Sequence, residues 1–292
     1  MKILITGARG RLGAELRRQL GDFAVGVDLP EFDLTDPDSV GQKIREVHPE
    51  IVINAAAYTQ VDRAEEESFR CHVVNVTGVE NLTEVCRELD IPLLQMSTDY
   101  VFCGNEPLGR PWRETDVPLP QGVYAVSKFH AERIVASWRK HFIVRTCGLY
   151  GHLGETARQS FTHKMLSFAA RRKELRVVDD QICTPSYVPD VAKAIRFLLA
   201  TRTYGLYHVV SGGQTTWYGF AKELCRQAEI DAEVIPISSA EYGGPAPRPR
   251  HSPLDTTRFH SLPRVPEIPH WKDALSRFLV EERAAVSRAV HR

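Results

Sequence analysis

The chain has 292 residues, 43% of them hydrophobic and 25% charged, which is typical of a globular protein with one large or two modest domains. With 37 basic and 37 acidic side chains the formal net charge is zero, so no basic surplus points to nucleic acid and none to a membrane surface. No apolar stretch approaches ~20 residues, and the six cysteines lack the close pairs of a metal or redox site. We therefore expect a soluble, cytoplasmic protein with reduced thiols.

The chain opens with the pattern of a dinucleotide-binding unit. Lys2–Thr6 is a short apolar run typical of a buried parallel strand, and Ala14–Leu20 has helical spacing. Between them, Gly7-Ala-Arg-Gly10-Arg-Leu-Gly13 gives a GxxGxxG spacing in the strand, turn and helix context of a cofactor fingerprint. Small residues let the backbone approach a pyrophosphate, and the helix N-terminus offers N–H groups to its charge. The loop residues predicted to bind the cofactor are Gly7, Arg9, Gly10, Arg11, Leu12 and Gly13; a glycine turn without a ligand is the alternative.

The next segment bears on cofactor choice. Ala24–Val27 predicts a second strand that ends at Asp28, and an acidic residue there typically binds the adenosine ribose hydroxyls of NAD. Arg9 and Arg11 in the glycine loop favour a 2′-phosphate instead, so the sequence leaves the choice between NADH and NADPH open. The following loop residues predicted to flank the adenine are Asp33 and Leu34.

Two further strands and two helices continue the alternation. Asp36-Pro37 predicts the start of a helix through Val47, and Glu50–Ala57 predicts a buried strand that ends in small residues. Small side chains let a flat cofactor lie close to the strand end, where open α/β sheets bind ligands. A helix from about Ser68 to Leu89 then leads to a fourth strand, Pro92–Ser97. The small residues predicted to contact the cofactor are Ala55, Ala56 and Ala57.

A tyrosine and a lysine four residues apart, Tyr124 and Lys128, fall on one face of a helix predicted over Tyr124–Trp138. Residues 105–122, rich in Pro and Gly, form the loop before this helix, and strand Phe142–Thr146 follows it. Alternating strands and helices without a hairpin signal predict an α/β fold with a doubly wound parallel sheet, that is, a Rossmann domain.

The alternation becomes irregular after residue 151, which predicts a smaller substrate lobe built from discontinuous segments. The segments predicted there are a helix over about 158–173, an irregular stretch at 181–189, helix 191–200, a strand at 205–210 returning to the sheet, helix 217–228, a Pro/Gly-rich stretch at 243–253 and a closing helix near 271–285. We predict a dinucleotide-binding domain over 1–146, joined by a returning strand near 205–212, and a lobe made mostly from 147–292.

Together these parts predict a site for hydride transfer. Reduction of a ketone leaves a developing alkoxide that needs a proton, and a tyrosine can supply it. We expect Lys128 to place positive charge beside the Tyr124 phenol and to lower its pKa; two pKa units correspond to roughly 2.7 kcal/mol. Thr98, or Ser97 beside it, would donate a hydrogen bond to the carbonyl oxygen. The alternative for Ser97 and Thr98 is that they only cap the end of a strand, and the alternative for Lys128 is an exposed surface lysine.

The motifs resemble those of extended short-chain dehydrogenases/reductases, and more closely those of the dTDP-4-dehydrorhamnose reductase family, nearly end to end. The resemblance is carried by the GxxGxxG opening, Asn54–Ala57, Ser97–Phe102 (STDYVF), Tyr124–Lys128 (YxxxK), Val61–Glu65, Pro111–Asp116, Asp180-Gln181, Ser211–Trp217 and Arg248–Asp255. It implies NAD(P)H-dependent reduction of the C4 ketone of a nucleotide-linked 6-deoxy-4-ketohexose, with dTDP-4-dehydro-L-rhamnose as the first choice.

The resemblance also implies roles for individual residues. Thr98, Tyr124 and Lys128 would be the catalytic set, and Tyr124 and Lys128 would also contact the cofactor. Arg248 suits a diphosphate because its guanidinium can bind two oxygens, although a solvated loop arginine is the alternative. The residues implied to contact the sugar or the diphosphate are Val61, Asp62, Tyr100 and Arg248.

One departure from the family concerns the substrate pocket. Rhamnose-forming members commonly read Arg-Thr-Ser-Trp where this chain has Arg145-Thr-Cys147-Gly148. We therefore expect a gap beside Gly148, where the aromatic that would cover the sugar is absent, and a pocket suited to a different 4-ketosugar is an alternative. Cys103 also replaces a common Asp.

The same fold also carries two other functions. A sugar-nucleotide 4,6-dehydratase would resemble Thr-Asp-Glu where this chain has Thr98-Asp99-Tyr100, so the acid is missing. A non-catalytic subunit resembling the regulatory β-subunit of methionine adenosyltransferase is the alternative from another class. The expected partners are a nucleotide-sugar substrate and neither nucleic acid nor membrane; the oligomeric state is left open, with a homodimer as one candidate. No acidic or histidine cluster has metal-site spacing, although scattered acids leave Mg²⁺ binding open.

Overall fold

Six parallel strands form the central sheet of the computed structural model, which describes residues 2–152, 154, 160–171 and 174–290. The strands of the described residues are β1 (Ile3–Thr6), β2 (Ala24–Val27), β3 (Ile51–Asn54), β4 (Leu93–Thr98), β5 (His141–Thr146), β6 (Leu149–Tyr150), β7 (Glu174–Val178), β8 (Ile182–Cys183), β9 (Ser186–Tyr187), β10 (Gly205–His208), β11 (Thr215–Thr216) and β12 (Glu233–Ile237). The central sheet has the order β10-β5-β4-β3-β1-β2, and each neighbouring pair is parallel. This confirms the predicted doubly wound sheet.

Helices cover both faces of this sheet. The α-helices are α1 (Arg11–Leu20), α2 (Pro37–Val47), α3 (Val61–Ala64), α4 (Ser68–His72), α5 (Gly78–Glu88), α6 (Val123–Ala136), α7 (Phe161–Ala169), α8 (Val188–Thr201), α9 (Trp217–Ala228), α10 (Ser239–Tyr242), α11 (Thr257–His260) and α12 (Trp271–Val290). Leu16 of α1 and Ile195 of α8 pack against one face of the sheet, and Ile44 of α2 and Val135 of α6 pack against the other. Burial on both faces explains why the strands are continuous apolar runs rather than alternating ones.

Local chemistry sets several boundaries where the sequence predicts them. Asp36 caps α2 by accepting a hydrogen bond from the Asp38 N–H, and Pro37 occupies the first helical position. Helix α9 has the predicted bounds, and its first residue follows Thr216, whose hydroxyl accepts from the Gly219 N–H. The helix predicted over 158–173 is found as α7; residues 158, 159, 172 and 173 lie outside the described residues.

The helix predicted from Ser68 to Leu89 is interrupted. A π-helical turn, Val73–Thr77, separates α4 from α5, and the second helix ends at Glu88. Within this turn Asn75 is buried, and its side chain accepts from the Tyr58 N–H and donates to the Ser127 hydroxyl on α6. The extra residue of the turn therefore directs a polar side chain into the junction below the Tyr124 helix.

The carboxy-terminal half contains elements that the sequence did not predict. Strands β7 and β12 pair in parallel as a separate two-stranded sheet, although they were not recognised as strands. Next to them lies an aromatic cluster that includes Tyr150, Tyr187, Phe220 and Phe278. Strand β10 instead lies at the edge of the central sheet, parallel to β5. The division into residues 1–146 and 147–292 stays a prediction. Within the described ranges, no helix has the length and apolar character needed to cross a bilayer.

Candidate active site

The glycine loop at the carboxyl end of β1 leaves no room for side chains. Gly7 has a φ of +66°, and a Cβ placed on it would lie 2.6 Å from the Ala56 nitrogen. A Cβ on Gly13 would lie 2.2 Å from the Gly7 carbonyl oxygen. Helix α1 begins directly after Gly10 without a side-chain cap, so its first N–H groups are available to an anion. This cradle fits the pyrophosphate of a dinucleotide.

Arg9 and Asp28 meet at the end of β2. The Asp28 carboxylate accepts a hydrogen bond of 2.9 Å from the Arg9 backbone N–H, which ties the glycine loop to the second strand. The Arg9 guanidinium donates to the Leu29 carbonyl and forms two 3.0 Å hydrogen bonds with Glu31. Both an acid suited to ribose hydroxyls and a cation suited to a 2′-phosphate therefore lie where the adenosine of a dinucleotide would be.

The other predicted cofactor residues surround this cradle in different ways. Leu12 is buried in the core, so its side chain packs against the sheet and only its backbone faces the loop. Arg11 is largely buried, which lowers its pKa. Asp33 accepts two hydrogen bonds from Thr35, and Leu34 packs against Gly78 of α5. Ala55 and Ala57 are half-buried beside Ala56 at the end of β3.

Strand β4 and helix α6 bring the predicted catalytic side chains together. Thr98 ends β4 opposite Thr146 of β5, and its hydroxyl contacts the Tyr124 phenol. Lys128 is 3% exposed, and its Nζ donates a 2.7 Å hydrogen bond to the Met96 carbonyl, two residues before Thr98. Thr98 and Lys128 are therefore buried, and Tyr124 is half-buried, where the carboxyl end of β4 meets the start of α6.

The protonation states of this group differ from the prediction. Burial raises the pKa of Tyr124, and the contact with Thr98 opposes this only in part. Burial lowers the pKa of Lys128 to about 8, against an opposing effect of the Glu132 carboxylate. The expected depression of the Tyr124 pKa is therefore wrong for this state of the protein, because burial disfavours the charged phenolate. The protonated phenol is the form that can donate to a ketone oxygen.

A buried ion pair holds the strand and the helix in register. Glu132 lies one turn after Lys128 on α6 and forms two hydrogen bonds with Arg145 of β5, at 2.7 and 2.8 Å. The Ser97 hydroxyl donates to the same carboxylate at 2.5 Å. Its hydrogen is therefore engaged in this network, which leaves Thr98 as the hydroxyl that faces the candidate site. Arg145 also lies over the Phe102 ring.

Of the four residues implied to contact the substrate, Tyr100 directly contacts Tyr124. The ring of Tyr100 meets the Tyr124 ring edge-on with centroids 5.7 Å apart. Val61 starts α3, and Asp62 follows it with a 2.7 Å ion pair to Arg248 from the Pro/Gly-rich stretch. The Arg248 guanidinium also lies over the Tyr242 ring. The structure thus assembles these residues at one side of the site, with Arg248 already paired to a carboxylate.

The expected gap beside Gly148 is not present. Gly148 has a φ of +54°, and a Cβ placed there would lie 3.1 Å from the Trp217 ring and 3.2 Å from the Pro185 Cα. Trp217 comes from the start of α9 and stacks obliquely on Phe161 with centroids 4.8 Å apart. An aromatic ring therefore does lie at this position, but a distant part of the chain supplies it.

Some residues of the site were not found by sequence reasoning. The sequence shows Glu132 and Arg145 as charged residues in otherwise apolar elements, and this pattern indicates a buried ion pair. Asp99 was quoted within the STDYVF string without a role, yet it is 3% exposed and directly contacts Thr98. Among the described residues, no group of three His, Cys, Asp or Glu side chains could hold a metal ion.

Comparison with known proteins places this geometry in a family. The model of the RmlD substrate binding domain matches residues 1–284. The dTDP-4-dehydrorhamnose reductase of Escherichia coli is 34% identical, and the match covers 96% of this chain and 98% of that protein. The spore coat polysaccharide biosynthesis protein SpsK of Bacillus subtilis is also 34% identical, over 97% and 99% of the two chains.

Solved structures agree with this assignment. The crystal structure of the dTDP-4-dehydrorhamnose reductase of Bacillus anthracis in complex with NADP has a TM-score of 0.90 and 36% identity, over 96% of this chain and 100% of that one. The UDP-glucose 4-epimerase of Thermus thermophilus, 23% identical with a TM-score of 0.79 over 98% and 100% of the two chains, shares the fold.

Proposed function

This chain belongs to the RmlD substrate binding domain family, and we propose that it is an NAD(P)H-dependent oxidoreductase acting on a nucleotide-linked sugar. Its reaction is reduction of the C4 ketone of dTDP-4-dehydro-L-rhamnose to give dTDP-L-rhamnose. The observation that carries the proposal is that Thr98, Tyr124 and Lys128 lie together where β4 meets α6, in the same parallel sheet whose β1 end carries the glycine cradle. Relatives that match nearly the whole chain bear the corresponding reductase name.

Each residue has a defined part in this reaction. Thr98 donates a hydrogen bond to the ketone oxygen, and Tyr124 transfers its phenolic proton to that oxygen as negative charge develops. When bound, the reduced nicotinamide supplies the hydride. Lys128, one turn along α6 from Tyr124, then holds positive charge near the phenolate that remains. The raised pKa of Tyr124 keeps the proton in place until the alkoxide forms.

To bind the diphosphate of the substrate, Arg248 must exchange its carboxylate partner for phosphate oxygens. Arg248 forms an ion pair with Asp62, and a diphosphate would compete with that carboxylate for the guanidinium. Tyr100, with its ring against Tyr124, forms the wall between this region and the reacting centre. We therefore place the diphosphate near Arg248 and the sugar between Tyr100 and Thr98.

Cofactor consumption tests the proposal. Purified protein is incubated with NADPH or NADH and dTDP-4-dehydro-L-rhamnose, and loss of reduced cofactor absorbance is followed. Tyr124→Phe should lower kcat by about 100- to 10,000-fold, the usual range for loss of a general acid. Tyr218→Phe, on α9 and outside the proposed site, is the matched control and should retain wild-type kcat.

Analysis of the product tests whether the sugar formed is dTDP-L-rhamnose. Nuclear magnetic resonance of the product should identify dTDP-L-rhamnose rather than its C4 epimer. Cofactor binding without turnover of the wild type would contradict the reductase proposal and favour a binding subunit. Turnover with formation of the epimer would contradict only the assigned product.

A further inference from the structure

Asp99 is a buried carboxyl group with no part in the proposed reaction so far. It directly follows Thr98, is 3% exposed, and forms no ion pair among the residues that the structure describes. Its Oδ1 lies 3.1 Å from the Thr98 hydroxyl, and the other side chains that act on its pKa are also neutral, the Ser252 hydroxyl and the Cys147 thiol. A buried carboxylate without a cation is costly, so this environment favours the neutral acid.

The hydroxyl of Thr98 has only one hydrogen to give. Its Oγ1 accepts from the Tyr100 N–H at 3.2 Å and lies 3.1 Å from Asp99 Oδ1. If Asp99 is a carboxylate, that carboxylate takes the Thr98 hydrogen, and Thr98 has none for a ketone oxygen. If Asp99 is a carboxylic acid, the acid donates to Thr98 Oγ1, and the Thr98 hydrogen is free to turn toward the substrate.

We propose that Asp99 is a positioning residue, held as the neutral carboxylic acid, whose hydrogen bond to Thr98 Oγ1 directs the Thr98 hydroxyl hydrogen at the ketone oxygen. The inference rests on the proposed function, since it gives Thr98 its donor role there. Asp99 does not touch the reacting atoms; it acts through Thr98 alone. Asp99 therefore donates to Thr98 Oγ1, Thr98 donates to the ketone oxygen, and the Tyr100 N–H fixes the position of Thr98 Oγ1.

The surroundings of Asp99 support the neutral form. Burial raises the pKa of Asp99, and its hydrogen bonds offset this only in part. The titratable groups that face it are Tyr100, Cys103, Tyr124, Cys147 and, behind Cys147, Cys183. All of these are neutral when protonated, and a negative charge on Asp99 would raise the pKa of each group in direct range. Arg248 acts on Tyr100 and Cys103 but makes no ion pair with Asp99 in the described structure.

Two substitutions of Asp99 separate positioning from packing. Asp99→Asn keeps an N–H donor toward Thr98 at every pH, so it should retain kcat within about three-fold of wild type. Asp99→Ala removes the donor and should lower kcat by about 10- to 100-fold with little change in the KM for NADPH, less than the roughly 100- to 1,000-fold cost of losing the carbonyl-directed donor itself, because Thr98 is still present. Equal kcat values for the two variants, whether both high or both low, would overturn the proposal.

The pH profile gives a second readout that a packing role would not move. In the wild type, kcat should fall as the pH rises through the Asp99 pKa, because the carboxylate captures the Thr98 hydrogen. Asp99→Asn should lose that component and keep only the component from Lys128, whose pKa is about 8. An unchanged profile in Asp99→Asn would contradict the assignment.

Infrared difference spectroscopy decides the protonation state without turnover. The spectrum of wild type minus Asp99→Asn, near neutral pH, should show the C=O stretch of a protonated carboxylic acid, and Thr98→Val should shift that band to higher frequency. A carboxylate signal instead would refute the proposal even if Asp99→Ala did not fold. If wild type failed to oxidise NADPH with the ketosugar, the proposed function would fail, whereas the infrared result would still report on Asp99.

Discussion

Replacing Lys128 with Met should stabilise the protein while it abolishes turnover. Lys128 is 3% exposed, and burial lowers its pKa from the ordinary value of 10.5 to about 8. Near pH 7 the buried ammonium therefore costs about 3 kcal/mol of folding free energy. Met has a similar length and no charge, and it loses a hydrogen bond to Met96 worth about 1 kcal/mol. The net gain expected near pH 7 is about 2 kcal/mol.

The stability advantage of Lys128→Met over wild type should shrink as the pH rises. The folded-state pKa is lowered, so between about pH 8 and 10.5 the unfolded chain binds more protons than the folded one. Wild-type stability therefore rises with pH through this window relative to the variant. Near pH 9.5 the cost of the ammonium has fallen to about 1 kcal/mol, and the two proteins should then be about equally stable.

Urea denaturation without cofactor, followed by tryptophan fluorescence near pH 7 and pH 9.5, measures both quantities. Lys193→Met on the exposed side of α8 is the matched control and should show no pH-dependent difference from wild type. Loss of the proposed catalytic charge should lower kcat of Lys128→Met by at least about 100-fold. The reasoning fails if Lys128→Met is no more stable than wild type near pH 7, or if its advantage is the same at both pH values.

Three further substitutions test other parts of the site. Glu31→Gln removes the exposed ion-pair partner of Arg9 and should lower the KM for NADPH about two- to five-fold, with no change for NADH, in steady-state kinetics; equal shifts for both cofactors would contradict this. Glu132→Gln leaves a buried guanidinium unpaired and should cost about 3–5 kcal/mol in urea denaturation, so a loss below about 1 kcal/mol would show that the pair does not hold β5 to α6. Gly148→Ala strains a positive φ and presses on Trp217, so it should raise the KM for the ketosugar but not that for NADPH; an unchanged sugar KM would show that Gly148 and Trp217 do not adjoin the bound sugar.

Elements whose signals are local could be predicted from the sequence. Strands β1 and β3 are largely apolar runs followed directly by glycine and alanine, and α2 begins at an Asp-Pro cap. Strands β7 and β12 were missed because they are only part-buried in places and pair with each other across a long stretch of chain. The π-helical turn at Val73–Thr77 was missed because a 3.6-residue period continues on both sides of it.

In the candidate site too, relations set by local spacing could be predicted, and relations set by the tertiary fold could not. Spacing alone grouped Tyr124 with Lys128 and placed Thr98 at a strand end, because those relations are fixed by helix and sheet geometry. The direction of the Tyr124 pKa depends on how completely the phenol is enclosed, which no spacing encodes. Trp217 reaches Gly148 through the tertiary fold, so residue-by-residue comparison with the family suggested a gap that the fold had filled.

The path of the chain through its carboxy-terminal half limits how such a protein can diverge. Between β7 and β12, which pair with each other, the chain returns to add β10 to the edge of the central sheet. A recombination event that exchanged this half as a single cassette would therefore remove an edge strand and helix α8 from the sheet it entered. New sugar specificities on this scaffold should arise by point changes and loop insertions rather than by shuffling of whole modules.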